Sequence, residues 1–294
     1  MTPYLSKLIF RLLASLPLRW LHALGALLGN LSYILSRGFA VRTRENLRQA
    51  NIVRDESHFT ALLKQTISEA GKGVVELTWV WLRPVEQVLD CVKECNGWDL
   101  VEKAQARGKG LVILTPHIGC FEVIGLYVGA RMPMTCLYRV PKQAWMDSVI
   151  RQGRERGLMK LARADIGGVR VLLKALKRGE VIGILPDQVP GNGEGEWLPF
   201  FGRPAYTMTL VSRLIEASNA SVLMCVAERL PQGKGYSIRF SPLEFQSGQP
   251  LTPQINHEVE MSVRSCPEQY LWSYNRYKVP AGVEPPDSAK EQQC

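Results

Sequence analysis

Several features that mark common functional classes are missing from this sequence of 294 residues. It has no P-loop and no dinucleotide-binding fingerprint, and its seven cysteines show no zinc-type spacing. Internal repeats and low-complexity segments are also missing. Because 46% of the residues are hydrophobic and 21% are charged, the composition is globular, which excludes wholly disordered chains, collagens and disulfide scaffolds. The odd number of cysteines favours a reducing compartment.

No apolar run is long enough for a comfortable membrane span. The longest clean run, Trp20–Leu35, has 16 residues and contains His22, whereas a span needs about 20 apolar residues. Upstream, leucine and isoleucine recur at helical spacing, with Lys7 and Arg11 on another side. This pattern predicts an amphipathic helix in the membrane interface, followed after Pro17 by a second helix that inserts more deeply. The alternative is a core-forming helical hairpin.

Acidic residues are scarce in two stretches. Residues 1–54 contain eight basic residues and one acid, Glu45, and residues 151–180 contain nine basic and three acidic residues. The whole chain has a net charge of +9, so the rest of it is mildly acidic. Such positive surfaces suit nucleic acid, an anionic membrane or a phosphorylated substrate. The arginines after the apolar run place the body on the cytoplasmic face of a membrane.

Short apolar strands alternate with amphipathic helices through the middle of the chain. The segments LVILTPH and VIGILPDQ are typical of buried strands. Residues 43–82 are predicted to be helical with a cap at Thr43, residues 144–161 to be a basic helix or helix-loop, and PGNGEGEW to be a flexible loop. The predicted fold class is α/β, with a central mixed, mainly parallel sheet flanked by helices and an N-terminal apolar helical anchoring segment. We expect a membrane-associating helical segment at residues 1–38, a catalytic α/β domain at residues 39–280 and a loose C-terminal tail at residues 281–294.

The sharpest local feature is HIGCFE, His117 to Glu122, directly after the apolar strand LVILTP. Open α/β sheets bind ligands at the carboxyl ends of their strands. If His117 sits in the turn and Glu122 in the first turn of the next helix, the carboxylate can hydrogen-bond one imidazole nitrogen. The other nitrogen is then a general base for a hydroxyl. The alternative is a strand-end histidine packed on Pro116 beside an unrelated glutamate.

The motif is accompanied by further segments that carry a family resemblance: TRENLRQA, LYRVPK, GRER, GGVRVLLKALKRGEVIGILPDQ, FFGRPAYTMT and YLWSYNRYK. With the apolar N-terminus, they resemble the late lipid A acyltransferases of Gram-negative bacteria, the lauroyl/myristoyl class. These belong to the glycerolipid acyltransferase superfamily, whose hallmark is His-x4-Asp/Glu. The acid here is Glu122, the form usual in this branch.

This resemblance implies acyl transfer from acyl carrier protein, or from acyl-CoA, to a hydroxyl of a 3-hydroxyacyl chain. The acceptor would be a phosphorylated, Kdo-bearing lipid A precursor at the cytoplasmic face of the inner membrane. No metal, no cofactor and no nucleic acid is expected. Because the residues between the histidine and the acid vary in the superfamily, Cys120 is not expected to form an acyl-enzyme.

The resemblance also implies roles for single residues. His117 would deprotonate the hydroxyl, with Glu122 orienting the imidazole. Arg154 in GRER would stabilise the oxyanion or bind phosphate, and Asp187 in ILPDQ would position the arginine or the acceptor. Arginine forks suit phosphate and carboxylate groups. Substrate-binding arginines are expected at Arg139, Arg151, Arg156, Arg163, Arg170 and Arg203.

Other interpretations remain open at this point. The basic stretch is alternatively a solvated helix face, and Arg203 is alternatively a turn residue paired with a surface acid. A phospholipid or other glycolipid acyltransferase would use the same His-x4-Glu dyad. A catalytically silent membrane adaptor is the alternative from another functional class.

Overall fold

The computed structural model describes residues 3–191 and 193–286. The chain begins with four helices: α1 (Pro3–Ser15), α2 (Leu18–Leu35), α3 (Arg37–Gln49) and α4 (Glu56–Leu82). The predicted single helix over 43–82 is therefore two helices. Ser36 caps α3 by accepting a hydrogen bond from the Phe39 N–H, and Thr43 is buried inside that helix rather than capping it.

Helices and strands then alternate through the body. The first part comprises α5 (Val85–Leu89), β1 (Val92–Asn96), α6 (Trp98–Ala106), β2 (Leu111–Leu114), α7 (Phe121–Gly129), β3 (Met134–Tyr138), α8 (Ala144–Arg154), β4 (Met159–Arg163) and α9 (Ile166–Lys177). The second part comprises β5 (Val181–Ile184), β6 (Gly195–Phe200), β7 (Arg203–Met208), α10 (Leu210–Ser218), β8 (Ser221–Arg229), β9 (Tyr236–Pro242) and α11 (Leu251–Ser265).

One seven-stranded sheet organises the body, in the order β1-β9-β8-β2-β5-β3-β4. Every neighbouring pair is parallel except β8 and β9, which are antiparallel. The predicted mixed, mainly parallel α/β sheet is thus confirmed. Strands β2 and β5 lie at its centre and are buried at every position, which explains why their sequences are continuously apolar.

Alternate residues of β2 pack into two separate cores, as the pleat of a strand requires. Leu111 and Ile113 join the core that contains residues of α2, α6 and α7, whereas Val112 and Leu114 join the core with α9, α10 and α11. The centre of the sheet is therefore packed on both of its faces.

Two predicted stretches differ from the structure. The segment 144–161 is helical only to Arg154 and then enters β4, an edge strand. The predicted loop PGNGEGEW runs into β6 at Gly195, and β6 pairs with β7 as a separate antiparallel hairpin; residue 192 lies outside the described residues. Of the predicted loose tail, residues 287–294 also lie outside them.

Helix α2 packs directly against α4. A Cβ on Gly71 would lie 2.0 Å from the Gly25 carbonyl oxygen, and a Cβ on Gly29 would lie 2.3 Å from the Ile67 carbonyl oxygen. Only glycine permits so close a backbone approach. The other side of α1 and α2 exposes large apolar side chains: Leu5, Leu8, Leu12, Trp20, Leu27, Leu28, Leu31, Ile34 and Leu35.

No single helix in the described part of the chain is long and apolar enough to cross a membrane. Helices α2 and α3 meet that test only as a pair, and they are bent by 101° where they join. The membrane association expected for residues 1–38 stays a prediction.

Candidate active site

The candidate site lies where β2 and β5 end side by side. Because these strands are parallel, the residues that follow them meet at the same edge of the sheet. His117 follows β2 and Asp187 follows β5. The His117 Nδ1 lies 2.8 Å from Asp187 Oδ1, and the His117 backbone N–H donates to Oδ2 at 2.9 Å. One carboxylate therefore fixes both the ring and the backbone of His117.

Asp187 is buried, with 2% of its side chain exposed. Burial raises the pKa of its carboxyl, but the charge and the hydrogen bonds of His117 outweigh burial and the net shift is downward. Asp187 is therefore ionised and accepts a proton-bearing Nδ1. This fixes the imidazole tautomer and leaves the lone pair on Nε2.

Nε2 of His117 faces Gln188, the next residue after Asp187. The Gln188 Nε2 lies 3.0 Å from it and acts as the donor, because the lone pair is on the ring nitrogen. Only 12% of the His117 side chain is exposed, and the Phe121 ring packs edge-on against it. Nε2 is thus a proton acceptor in a largely enclosed place, and Gln188 occupies the direction from which a hydroxyl would approach.

Glu122 has other partners than those expected. Its carboxylate accepts from Arg154 Nε at 2.8 Å, from Arg154 Nη2 and from Trp81 Nε1 at 3.1 Å. The expectation that Glu122 hydrogen-bonds the imidazole is wrong, because Asp187 holds that position. Glu122 lies in the first turn of α7, where it meets the ends of α4 and α8 instead of the preceding turn.

The pair of Glu122 and Arg154 is largely buried, with 5% and 23% of the side chains exposed. Burial lowers the pKa of the Arg154 guanidinium, but the Glu122 charge outweighs it, so the net shift is upward. Nη1 of Arg154 donates no hydrogen bond to any residue that the structure describes. Glu122 therefore holds the permanently charged guanidinium in place through Nε and Nη2, and Nη1 remains available as a donor.

Arg156 corrects another expectation, because its donors are used within the fold. They reach the carbonyl oxygens of Gly153 at 2.7 Å, Arg83 at 2.6 Å and Val80 at 2.5 Å. Val80 and Arg83 lie at the carboxyl end of α4, where carbonyl groups lack helical partners and a cation is favourable. Arg156 is therefore a structural residue that joins α8 to α4, not a substrate-binding one.

The remaining arginines occupy different places. Arg139 and Arg163 are exposed at the carboxyl ends of the paired strands β3 and β4, on the same sheet edge as His117. Arg170 is exposed on α9. Arg151 donates to Tyr138 Oη and to Glu155 and lines an open groove on α8.

Arg203 is the first residue of β7. It donates to Gln49 Oε1 at 2.8 Å and its guanidinium lies 4.5 Å from the centre of the Tyr277 ring. Arg203 therefore pairs with an amide and an aromatic ring, and not with a surface acid. Nothing in these contacts directs Arg203 towards His117.

Three residues near the motif were missed by sequence reasoning: the buried Glu76 on α4, the buried Arg229 at the end of β8, and the partly buried Gln188. Glu76 and Arg229 are hydrogen-bonded to each other. A signal for them was available, since Glu76 interrupts the apolar stretch VVELTWVW and Arg229 closes the apolar strand SVLMCVAER. Charged residues inside apolar elements are rarely buried without a partner.

The chain is similar to known proteins over almost its whole length. The sequence profile of the family described as "Bacterial lipid A biosynthesis acyltransferase" matches residues 1–279. The chain is 27% identical over 279 residues to the lipid A biosynthesis lauroyltransferase of Escherichia coli (strain K12), covering 92% of this chain and 90% of that protein. It is 28% identical over 228 residues to the lipid A biosynthesis palmitoleoyltransferase of the same strain, covering 74% and 71%.

The lipid A biosynthesis myristoyltransferase of that strain is 23% identical over 270 residues, covering 88% of this chain and 82% of the relative. All three relatives are acyltransferases of lipid A biosynthesis, and they differ in their acyl group: lauroyl, palmitoleoyl or myristoyl. Since the profile spans nearly the whole chain, the protein belongs to the bacterial lipid A biosynthesis acyltransferase family.

Proposed function

We propose that the protein transfers a fatty acyl chain from acyl carrier protein to a hydroxyl of a 3-hydroxyacyl chain on a Kdo-bearing lipid A precursor. The observation that carries the proposal is the pairing of His117 Nδ1 with the buried, ionised Asp187. This pairing leaves Nε2 as the proton acceptor. Family membership and the names of the relatives support lipid A as the acceptor.

The acyl chain passes directly from the thioester sulfur of the donor to the hydroxyl oxygen of the acceptor, without an acyl-enzyme. The acceptor hydroxyl takes the place of the Gln188 amide at Nε2, and its proton passes to Nε2 as its oxygen attacks the thioester carbonyl carbon. The tetrahedral oxyanion then collapses, the C–S bond breaks, and the leaving thiolate takes the proton from Nε2. Asp187 stabilises the imidazolium between these two steps.

Arg154 supplies fixed positive charge in this scheme. Glu122, which also accepts a hydrogen bond from Trp81, holds the guanidinium in one orientation, and the remaining nitrogen Nη1 is the donor for the oxyanion or for a phosphate of the acceptor. Glu122 is thus a positioning residue for Arg154 rather than for His117. No metal ion or other cofactor takes part in the proposed transfer.

The acyl donor and the acceptor headgroup are both anionic. Arg139 and Arg163 are exposed at the sheet edge that carries His117, and Arg170 is exposed on the helix that follows β4. We propose that they receive the acidic surface of acyl carrier protein and the phosphorylated headgroup. Arg151, beside an open groove on α8, belongs to the same surface.

The apolar side of α1 and α2 supports a place at the cytoplasmic face of the inner membrane. Its exposed leucine, isoleucine and tryptophan side chains suit the acyl region, and the basic residues of both helices suit anionic headgroups. Because α2 packs on α4 through glycine contacts, this surface is fixed to the catalytic body.

The test is a transfer assay with the full-length protein in detergent micelles. It offers acyl-acyl carrier protein with a tetraacylated, Kdo-bearing lipid A precursor, a lysophospholipid, or both, and products are read by mass spectrometry. We expect one acyl chain to be added to the lipid A precursor by the wild type and none by His117→Ala. Acylation of the lysophospholipid alone would contradict the proposed acceptor.

A cellular experiment separates the enzyme from a silent membrane adaptor. Mass spectrometry of lipid A from a strain lacking the gene should show molecules one acyl chain short, and the wild-type gene should restore them. Complementation by the His117→Ala gene should not. Unchanged lipid A in the deletion strain would favour the adaptor.

A further inference from the structure

A buried cluster of charged residues lies directly beneath the turn that carries His117. Arg229, at the end of β8, donates through Nε to Glu76 Oε1 at 2.8 Å and also through Nη2 to the same carboxylate. The same Nη2 donates to the carbonyl oxygen of Gly119 at 2.8 Å. Only 5% of the Arg229 side chain and 1% of the Glu76 side chain are exposed. The ion pair therefore touches the motif but not its catalytic side chains.

Glu76 is held from two further elements. Its Oε2 lies 3.2 Å from His22 Nε2 of α2 and 3.4 Å from the Tyr236 hydroxyl of β9. Burial raises the pKa of Glu76, but the charge of Arg229 and the hydrogen bond with His22 outweigh it and lower the pKa to about 2. Glu76 is thus a carboxylate with a complete set of donors.

The turn from His117 to Cys120 depends on such outside contacts, because it has no helix or strand of its own. Gly119 has a φ of +60°, and a Cβ there would lie 2.0 Å from the Ala227 carbonyl oxygen. The Cys120 N–H donates to that same oxygen at 2.8 Å. The turn is therefore pressed against the end of β8, and Arg229 closes the contact two residues further along.

Arg229 also reaches the turn by a second route. Its backbone N–H donates to Gln269 Oε1 at 2.8 Å, and its carbonyl accepts from Gln269 Nε2 at 3.1 Å. The Gln269 carbonyl in turn accepts from the Gly119 N–H at 3.1 Å. Both polar groups of the Gly119 backbone are thus fixed by Arg229, one directly and one through Gln269.

A buried ion pair is a poor way to gain stability, since replacing both charges by apolar side chains is often neutral or stabilising. The location of the ion pair under the motif is explained if the pair fixes the conformation of the turn from His117 to Cys120. We propose that Arg229 and Glu76 are positioning residues for the transfer reaction, which hold the Gly119 carbonyl and thereby the direction in which His117 presents Nε2. This inference rests on the proposed function, because the positioned atom is the base of that reaction.

The decisive variants remove the pair singly and together. Arg229→Leu leaves Glu76 buried without its main partner and should lower the midpoint of thermal unfolding, whereas Arg229→Leu/Glu76→Leu should recover most of that loss. Arg229→Lys keeps the charge but not the fork that contacts Glu76 and Gly119 together. Leu63→Ala is the control for lost stability, because it empties a core position of α4 about 20 Å along the helix from Glu76.

Two readouts are needed on the full-length protein. The first is kcat and KM for acyl transfer to the lipid A precursor. The second is the rate at which diethyl pyrocarbonate modifies His117, measured by peptide mass spectrometry against the exposed His58 and His257. The second readout does not depend on any transfer activity.

For the double leucine variant we expect kcat to fall about 100-fold with little change in KM, since misplacing a reacting group by about 1 Å has that effect. His117 should be modified at least about threefold faster relative to His58, because a released turn opens more often. Arg229→Lys should lie between this variant and the wild type. Leu63→Ala should be destabilised yet keep both kcat and His117 reactivity within about threefold, since core truncations away from a site act on stability.

A double leucine variant with wild-type kcat and wild-type His117 reactivity would overturn the inference and leave the pair a purely structural contact. If the wild type transfers no acyl chain to any acceptor, the proposed function fails. The reactivity of His117 in the same variants then decides whether the pair positions the turn.

Discussion

Two buried carboxylates lie at the HIGCFE motif, and they differ in the side chain they hold. Asp187 holds an imidazole, whose second nitrogen keeps a lone pair, whereas Glu122 holds a guanidinium, which is always protonated. The first pair can move a proton and the second can only present charge. Two similar buried acids at one site thus serve different purposes, general-base chemistry and electrostatic stabilisation, because their partners differ.

Removal of the base should have the largest effect on the rate of acyl transfer. His117→Ala deletes the proton acceptor, and we expect the initial rate of acyl transfer to fall about 10⁴-fold, the upper end of the range typical of general-base catalysis. The matched control is His58→Ala, which removes an exposed histidine on α4 and should transfer normally. A His117→Ala enzyme that retains more than a tenth of the wild-type rate would show that the pair of Asp187 and His117 does not supply the general base.

Loss of the fixed charge should come next. Arg154→Lys retains a cation but cannot both pair with Glu122 through two nitrogens and present a third, so kcat should fall about 10²-fold. Arg178→Gln is the control, because it breaks an exposed ion pair with Glu180 on the neighbouring helix end. Equal kcat values for the two variants would show that Arg154 is only a structural partner of Glu122.

A smaller effect is expected from the amide that covers Nε2. Gln188→Ala leaves room for water beside the base, whereas Gln188→Leu keeps much of the side-chain volume without a donor. Because one hydrogen bond contributes about 0.5–1.5 kcal/mol, transfer to the lipid acceptor should change less than about tenfold in either variant. Hydrolysis of acyl-acyl carrier protein without acceptor should increase only in Gln188→Ala, and identical hydrolysis by both variants would contradict a covering role.

The smallest effect is expected at the cysteine inside the motif. Cys120 is buried, and burial raises the pKa of its thiol well above the ordinary value, so it supplies no thiolate nucleophile. Cys120→Ala should therefore transfer acyl chains within about threefold of the wild type, since covalent catalysis requires an activated nucleophile. A folded but inactive Cys120→Ala protein, with an acyl adduct on Cys120 in the wild type, would replace direct transfer by a two-step mechanism.

The sequence was sufficient to place His117, because an apolar strand followed directly by a histidine defines a sheet edge. It was not sufficient to find the partner of His117. Asp187 lies 70 residues away, and β2 and β5 become neighbours only through the order of the sheet. Glu122 was the nearest acid along the chain, but the start of α7 directs it to Arg154.

The same limit explains the other differences. Arg156 belongs to the basic stretch by composition, yet it caps the end of a helix that is some 70 residues distant, which no local pattern reveals. The edge strand β4 follows a helix with only a short turn and has exposed basic residues, so its strand character was hidden. Local periodicity predicts elements, whereas pairings between distant polar residues depend on tertiary structure.

The most direct test of the central claim is a comparison of isosteric changes at the two carboxylates, Asp187→Asn and Glu122→Gln, in one acyl-transfer assay. We expect kcat to fall about 10³- to 10⁴-fold in Asp187→Asn, because the imidazole loses its fixed tautomer and its counter-charge. In Glu122→Gln we expect a fall of about 10²-fold or less, because the amide still accepts a hydrogen bond from Arg154. A greater loss in Glu122→Gln, with Asp187→Asn near the wild-type rate, would contradict the assignment of Asp187 as the partner of the base.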